Sequence, residues 1–179
     1  KSCHDMDILQ WLLDKKCEKV QSFGSLTHFR KENAPADSAE YCIEGCPHGE
    51  TCPYNAVKLY LDDKENDWFR TTCARVANPT DADIERALRT TQDGKCVYKC
   101  DNDVVDHQVV NLEFENGAVA SFNMSAFNKG GRFIRIMGTK GELIGYGNKL
   151  KMNIFGKKST NVIKGPISLG GHIEGDIRI

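Results

Sequence analysis

The sequence predicts an α+β domain in which helices come first and cover one face of an open, mostly antiparallel sheet. Three observations predict it. Apolar residues recur at helical spacing near the start, the period changes to two after residue 95, and the links between later strands are very short. Strands joined by such links must run antiparallel, and separated runs of helices and strands make an α+β arrangement.

The clearest helix spans residues 2–15, where Met6, Leu9, Leu12 and Leu13 recur on one side and His4, Ile8 and Trp11 form a neighbouring stripe. Ser2 and Asp5 fit a capping box, each side chain satisfying the other's free N–H. A strand follows at about 19–29. Residues 30–53 read as loop, with three prolines and three cysteines. Pro53 can open a second helix, Tyr54–Leu61, because the first turn does not use its N–H. Thr80 and Asp83 cap a third, with Ile84, Ala87 and Leu88 as its apolar side. Cys96 and Cys100 flank a short strand-like run and read as core thiols. Val110, Leu112 and Phe114 then alternate with polar residues up to Asn116-Gly117, a type I′ hairpin signal, and Ala118, Ala120, Phe122 and Met124 return. Further strands are expected at 132–138, 142–146, 149–155 and 160–164.

At 179 residues the chain is long enough for one ordinary domain, burying roughly 70% of its extended surface. A net charge of −1 gives no electrostatic case for nucleic acid or an anionic membrane. No stretch approaches the ~20 apolar residues of a membrane span, and the start is not a signal peptide. Free thiols in a reducing, cytoplasmic compartment suit the eight cysteines better than a disulfide framework.

Chemistry concentrates in four places. His4 and Asp7 stand three apart near a helix start, a spacing that lets both face one pocket. A histidine there can carry a proton, and an aspartate can orient its ring or hold a sugar hydroxyl. A structural histidine beside an aspartate that favours the positive helix end explains the pair as well. Cys42, Cys46 and Cys52, with Cys73, His48 or His28 as a fourth, could hold a structural zinc. None of the gaps is the usual two-residue knuckle, and a disulfide or buried thiols fit too, so the pattern alone does not favour the metal. Gly138-Thr139-Lys140-Gly141 lies between strands and is not a phosphate loop, and no Gly-x-Gly-x-x-Gly leads into a helix. Gly170-Gly171-His172 with Asp176 suits either a ligand-admitting loop or a solvated turn. Both ends are chemically dense where termini are usually least specified, which predicts a piece of a larger enzyme.

The run from Lys1 to Leu13 resembles the first helix of the C-terminal domain of the Gfo/Idh/MocA oxidoreductases, the glucose–fructose oxidoreductase and inositol dehydrogenase family. There, His-x-x-Asp precedes a tryptophan–leucine pair. Cys52-Pro53-Tyr54-Asn55-Ala56, the hairpin from Asn111 to Phe122, the link from Ile136 to Glu142, and Gly171-His172-x-x-Gly175-Asp176 agree in order and spacing. The cysteine-rich stretch departs from the simplest members and resembles a subgroup feature.

The resemblance implies that residues 1–179 are the C-terminal substrate-binding and oligomerisation domain of a two-domain enzyme. Its Rossmann domain, absent from these residues, would bind NAD or NADP. The substrate would be a sugar, polyol or related carbonyl compound, with His4 as the catalytic residue and Asp7 and His172 contacting substrate. The family's lysine would lie in the nucleotide-binding domain, and the domain alone would be inactive. The open sheet face would pair with a second copy, making a homo-oligomer. Two other readings remain: an oligomerisation domain without a substrate site of its own, and a zinc-binding adaptor.

Overall fold

Helix α1 covers Ser2–Leu13, so Ser2 is already its first helical residue. It ends where Asp14 turns to φ 46 while its N–H still reaches the Gln10 carbonyl at 2.9 Å. Aspartate tolerates that left-handed conformation better than most residues. The computed structural model describes residues 2–129 and 131–164, and the chain divides into two compact units, Lys1–Phe127 and Asn128–Ile179.

In the first unit, β1 (Cys17–Ser25), β2 (His107–Phe114) and β3 (Val119–Ser125) form an antiparallel sheet in that order. The register pairs Ser22 with Val110 and Val110 with Phe122, which sets Val20, Gln108, Leu112, Phe114 and Met124 on the same face as these three. This face meets α1, and its Val110 and Phe114 are the most buried strand residues. The β2–β3 connection differs from the expected two-residue turn. Phe114 N–H bonds Ala118 O at 2.9 Å and only Gly117 takes positive φ, at 77°. The loop is therefore the three-residue kind, a turn closed by one left-handed glycine.

Between β1 and β2 lies a small helical body. Helix α2 (Asp67–Ala74), which the sequence reading missed, starts at Asn66, whose Oδ1 accepts Phe69 N–H at 3.3 Å. Helix α3 (Asp81–Thr90) carries the expected capping box. Thr80 N–H donates to Asp83 Oδ2 at 3.0 Å and Asp83 N–H to Thr80 Oγ1 at 3.3 Å. The hydroxyl and N–H of Thr80, with Arg86, hold the Asp83 carboxyl down to about 2. Ile84, Ala87 and Leu88 face inward as predicted, and with Ala56 and Cys73 make the core. Each of the larger aliphatic side chains contributes about 1.5–3 kcal/mol by burial.

The expected helix at Tyr54–Leu61 becomes a π-helical turn at Val57–Asp62. Asn55 Oδ1 takes the Val57 N–H at 3.0 Å, so winding starts after Asn55 and not at Pro53. The carbonyls of Tyr60 and Leu61 are capped by Arg70 Nη1 at 3.1 and 3.2 Å. The run between Cys96 and Cys100 is a turn and not a strand, with Lys99 N–H on Cys96 O at 2.8 Å.

The second unit is a four-stranded antiparallel meander of β4 (Phe133–Gly138), β5 (Gly141–Tyr146), β6 (Lys149–Ile154) and β7 (Thr160–Lys164). Thr139-Lys140 makes the tight link between the first two, as its glycine flanks suggest. One face carries a polar ladder across all four strands. Arg135 Nη2 donates to Glu142 Oε2 at 2.7 Å, Asn153 Nδ2 to Glu142 Oε1 at 2.9 Å, and Thr160 Oγ1 to Asn153 Oδ1 at 2.9 Å. A one-residue slip would break every rung, so the ladder fixes the register. These hydrogen bonds hold the Glu142 carboxyl below its usual range, Asn153 contributing most. The opposite face is apolar, with Ile134, Ile136, Leu143, Leu150, Met152 and Ile163 in register. Seven strands thus form two antiparallel sheets among the described residues, where a single open sheet was expected.

Candidate functional site

A cleft of ≈ 620 Å³ opens between α1 and the inner face of the three-stranded sheet. Val20, Val110, Leu112 and Phe114 make its apolar floor, and Met6 contributes from the helix. Polar groups gather at Asp7, Gln10, Ser22 and Gln108. Gln108 Nε2 donates to Ser22 Oγ at 3.0 Å, so the register of β1 on β2 places an amide and a hydroxyl side by side. An apolar floor with a few converging polar groups is the usual construction of a small-molecule site, and the volume falls in the usual range.

The two residues singled out on α1 part company here. Asp7 lines the cleft; His4, one turn earlier, is exposed and outside its lining. His4 shares an outward stripe with Ile8 and Trp11, and Trp11 is 77% exposed. His172 lies outside the described residues. Gln108 and Ser22 were not anticipated, because only strand pairing brings them together.

A second polar centre sits where β1 ends and β2 begins. Asp106 is 3% exposed and its Oδ2 accepts the N–H groups of Thr27 at 2.9 Å and His28 at 2.7 Å. Its Oδ1 meets His107 Nδ1 at 2.7 Å, and His107 Nε2 lies 3.2 Å from Ser25 Oγ. Burial alone would raise this carboxyl. The N–H groups of His28, Thr27 and Phe29 and the His107 ring outweigh it and hold the carboxyl well below the usual range. The Ser–His–Asp order is reminiscent of a nucleophilic triad, yet the serine and histidine lie on the sheet face turned away from the α1 cleft. The carboxylate is occupied in tying two strand ends together, so the chain of bonds is structural. Beside it, His28, Phe29, Tyr54, Tyr98 and Phe127 pack ring to ring at 5.0–6.3 Å, and Tyr98 Oη bonds His28 Nε2 at 3.1 Å.

The cysteines sort themselves clearly. All eight are free thiols. Cys73 is 1% exposed inside the helical core, where burial first and Asp93 second push its thiol up to about 11. Cys42, Cys46 and Cys52 line one small cavity together with Cys96. The bridge between Tyr41 and Lys95 brings Cys96 there, its N–H on Glu40 O at 2.9 Å. Burial raises the Cys42 thiol, and the neighbouring Cys96, Cys52 and Cys46 add to that. Among the described residues, no three His, Cys, Asp or Glu side chains already stand in metal-holding geometry.

The chain offers no cradle for a dinucleotide pyrophosphate among the described residues. Helices α2 and α3 are entered through Asn66 and Thr80, and Gly138–Gly141 spans a hairpin link. A phosphate-binding turn needs glycines leading into a helix N-terminus. No helix among the described residues is long and apolar enough to cross a membrane.

Comparison with known proteins bears on this geometry. Neither a curated protein nor a solved structure matches the chain. A model of the oxidoreductase family, C-terminal alpha/beta domain, matches residues 1–167. An antiparallel α+β body with a lined cleft under its first helix accords with that match, and the chain belongs to the Gfo/Idh/MocA oxidoreductase family as its C-terminal domain.

Proposed function

We propose that this domain forms the substrate side of an NAD(P)-dependent oxidoreductase acting on a sugar, polyol or related carbonyl compound. The observation that carries the reading is the α1 cleft, in which Asp7, Gln10, Ser22 and Gln108 converge above an apolar floor. Hydroxyl-rich substrates need several polar contacts at fixed spacing, and carboxylate, amide and hydroxyl groups supply both donors and acceptors. Membership of an oxidoreductase family supplies the reaction class.

Among the described residues no glycine-rich turn leads into a helix to take a dinucleotide's phosphates, and the cofactor is assigned to a separate nucleotide-binding domain. A nicotinamide held there supplies hydride transfer when bound. The exposed stripe of His4, Ile8 and Trp11 is the side of α1 suited to meet that domain. In this reading His4 moves or holds the substrate hydroxyl proton, and Asp7 positions the substrate from inside the cleft. His172 joins the substrate contacts. The apolar face of the four-stranded sheet is the surface through which two copies associate.

The test is a substrate screen on the full-length protein with NAD and NADP, following nicotinamide absorbance over sugars, polyols and their oxidised forms. Turnover of one such class supports the reading. No turnover with either cofactor, together with an unrelated domain encoded upstream, overturns it.

A further inference from the structure

We infer that Cys42, Cys46, Cys52 and Cys96 form a structural zinc site of four thiolates, built on the loop body beside α3 and independent of the α1 cleft. The four residues come from two separate chain segments to line one cavity of ≈ 20 Å³, room for about a single water- or ion-sized sphere. Two thiols from one turn and one from a nearby loop could arise from ordinary packing. A fourth delivered from more than forty positions away, by a dedicated backbone bridge at Tyr41 and Lys95, is harder to assign to packing alone.

The backbone around the cavity is already braced. Cys42 opens a 3-10 turn that ends at Gly45, whose φ of 78° lets the chain double back toward Cys46. Gly49 N–H bonds Cys46 O at 3.0 Å, Cys52 N–H bonds His48 O at 2.9 Å, and Asn55 Nδ2 bonds Gly49 O at 2.9 Å. A site closes on such a frame when the thiol side chains rotate toward one another between staggered wells. That rotation is needed, because the sulfurs as placed do not yet converge on one point.

A further sign comes from Ser38, which lines the same cavity. It is 9% exposed, and its Oγ is buried without a hydrogen-bond partner. A buried hydroxyl left alone costs about 1–3 kcal/mol, so native structures rarely keep one without a reason. A thiolate on zinc is a strong acceptor beside it. The tetrathiolate with Zn²⁺ carries a charge of about −2, and two cations flank Cys96 in sequence: Lys95, paired with Glu40 at 3.3 Å, and Lys99. Lys99 Nζ donates to the Ser38 carbonyl, tying this cation to the cavity wall.

The other fourth ligands suggested by spacing are engaged elsewhere. Cys73 is in the helical core, and the His28 ring bonds Tyr98. His48 Nε2 meets Ala36 O at 2.7 Å. The chemistry is balanced without any redox step: four thiols release their protons as the zinc–sulfur bonds form.

The full chain, purified without chelator, should carry about one zinc per chain by mass spectrometry. Cobalt exchanged into it should show the intense charge-transfer and d–d absorption of a tetrahedral thiolate site. Cys96→Ser and Cys52→Ser should each lower zinc content by about tenfold or more, while Cys17→Ser leaves it unchanged. Cys96→His, which keeps a ligand, should restore most of the zinc and serves where the serine variants fail to fold. Metal-free wild type that neither takes up zinc nor cobalt on titration would overturn the site, as would a disulfide among these four residues. Iron with acid-labile sulfide would overturn the zinc assignment. Oxidoreductase turnover is not the readout, so failure of the substrate reading leaves this result intact.

Discussion

Arg70 reaches from α2 to the first residue of α3, its Nη2 2.7 Å from Asp81 Oδ1, while Nη1 caps the π-helical turn through the carbonyls of Tyr60 and Leu61. At 7% exposure it is the only buried cation of the described residues, and one side chain joins three helical segments. Replacing it with methionine keeps the length and removes every donor. The carbonyls of Tyr60, Leu61 and Pro79 and the Asp81 carboxylate then lose this donor, and Arg70→Met should destabilise the fold by about 1–3 kcal/mol. Urea unfolding measures this; an unchanged midpoint would mean that water replaces the guanidinium without cost.

Asp106 should make stability fall in acid. Its folded carboxyl titrates below its unfolded value, so the folded state binds fewer protons. The stabilisation is complete above the unfolded value of about 4 and is lost as pH falls toward the lower folded value. Urea midpoints at neutral and acid pH should therefore differ more for wild type than for Asp106→Asn. Parallel slopes for the two proteins would remove this carboxylate as a cause.

Gly94 closes the turn after α3 with no room for a side chain. A Cβ there would stand 1.8 Å from Leu88 O, which is backbone and cannot swing aside. Gly94→Ala should cost about 1–3 kcal/mol or more and shift the thermal midpoint down. Gly45→Ala, where φ is positive but nothing lies within 4 Å, separates steric from conformational cost.

The α1 pair should divide its labour in the full-length enzyme. His4→Ala should depress turnover by about 10²-fold or more if it moves the proton, with cofactor affinity nearly unchanged. Asp7→Asn should chiefly raise KM, because Asp7 lines the cleft and positions substrate. Wild-type turnover in His4→Ala would remove it from the chemistry. An unaltered substrate profile in Asp7→Asn would reduce that residue to a helix-end charge.

Association through the four-stranded sheet is open to light scattering. A stable contact should bury more than about 1,000 Å² in total, and Leu143→Glu on the apolar face should dissociate it. A monomer at high concentration would count against the sheet as an interface.

Local patterns were enough for the elements whose cause is local. Thr80 and Asp83 cap α3 because the box closes within one turn, and Ile84, Ala87 and Leu88 face inward because helical spacing dictates a side. Strand alternation and the Gly138–Gly141 link likewise forced antiparallel neighbours. Tertiary structure decided what depends on distant partners. Helix α2 escaped notice because its inward side is Arg70 and Cys73, and an arginine faces a core only where remote carbonyls and a carboxylate await it. Gln108 joined Ser22 through strand register, and Cys96 joined Cys42 through the Tyr41–Lys95 bridge. Spacing along a chain reports neighbours within a turn or a pleat. Which segments then meet is determined by pairing and packing summed over the whole domain, and that is where the cleft and the cysteine cavity were made.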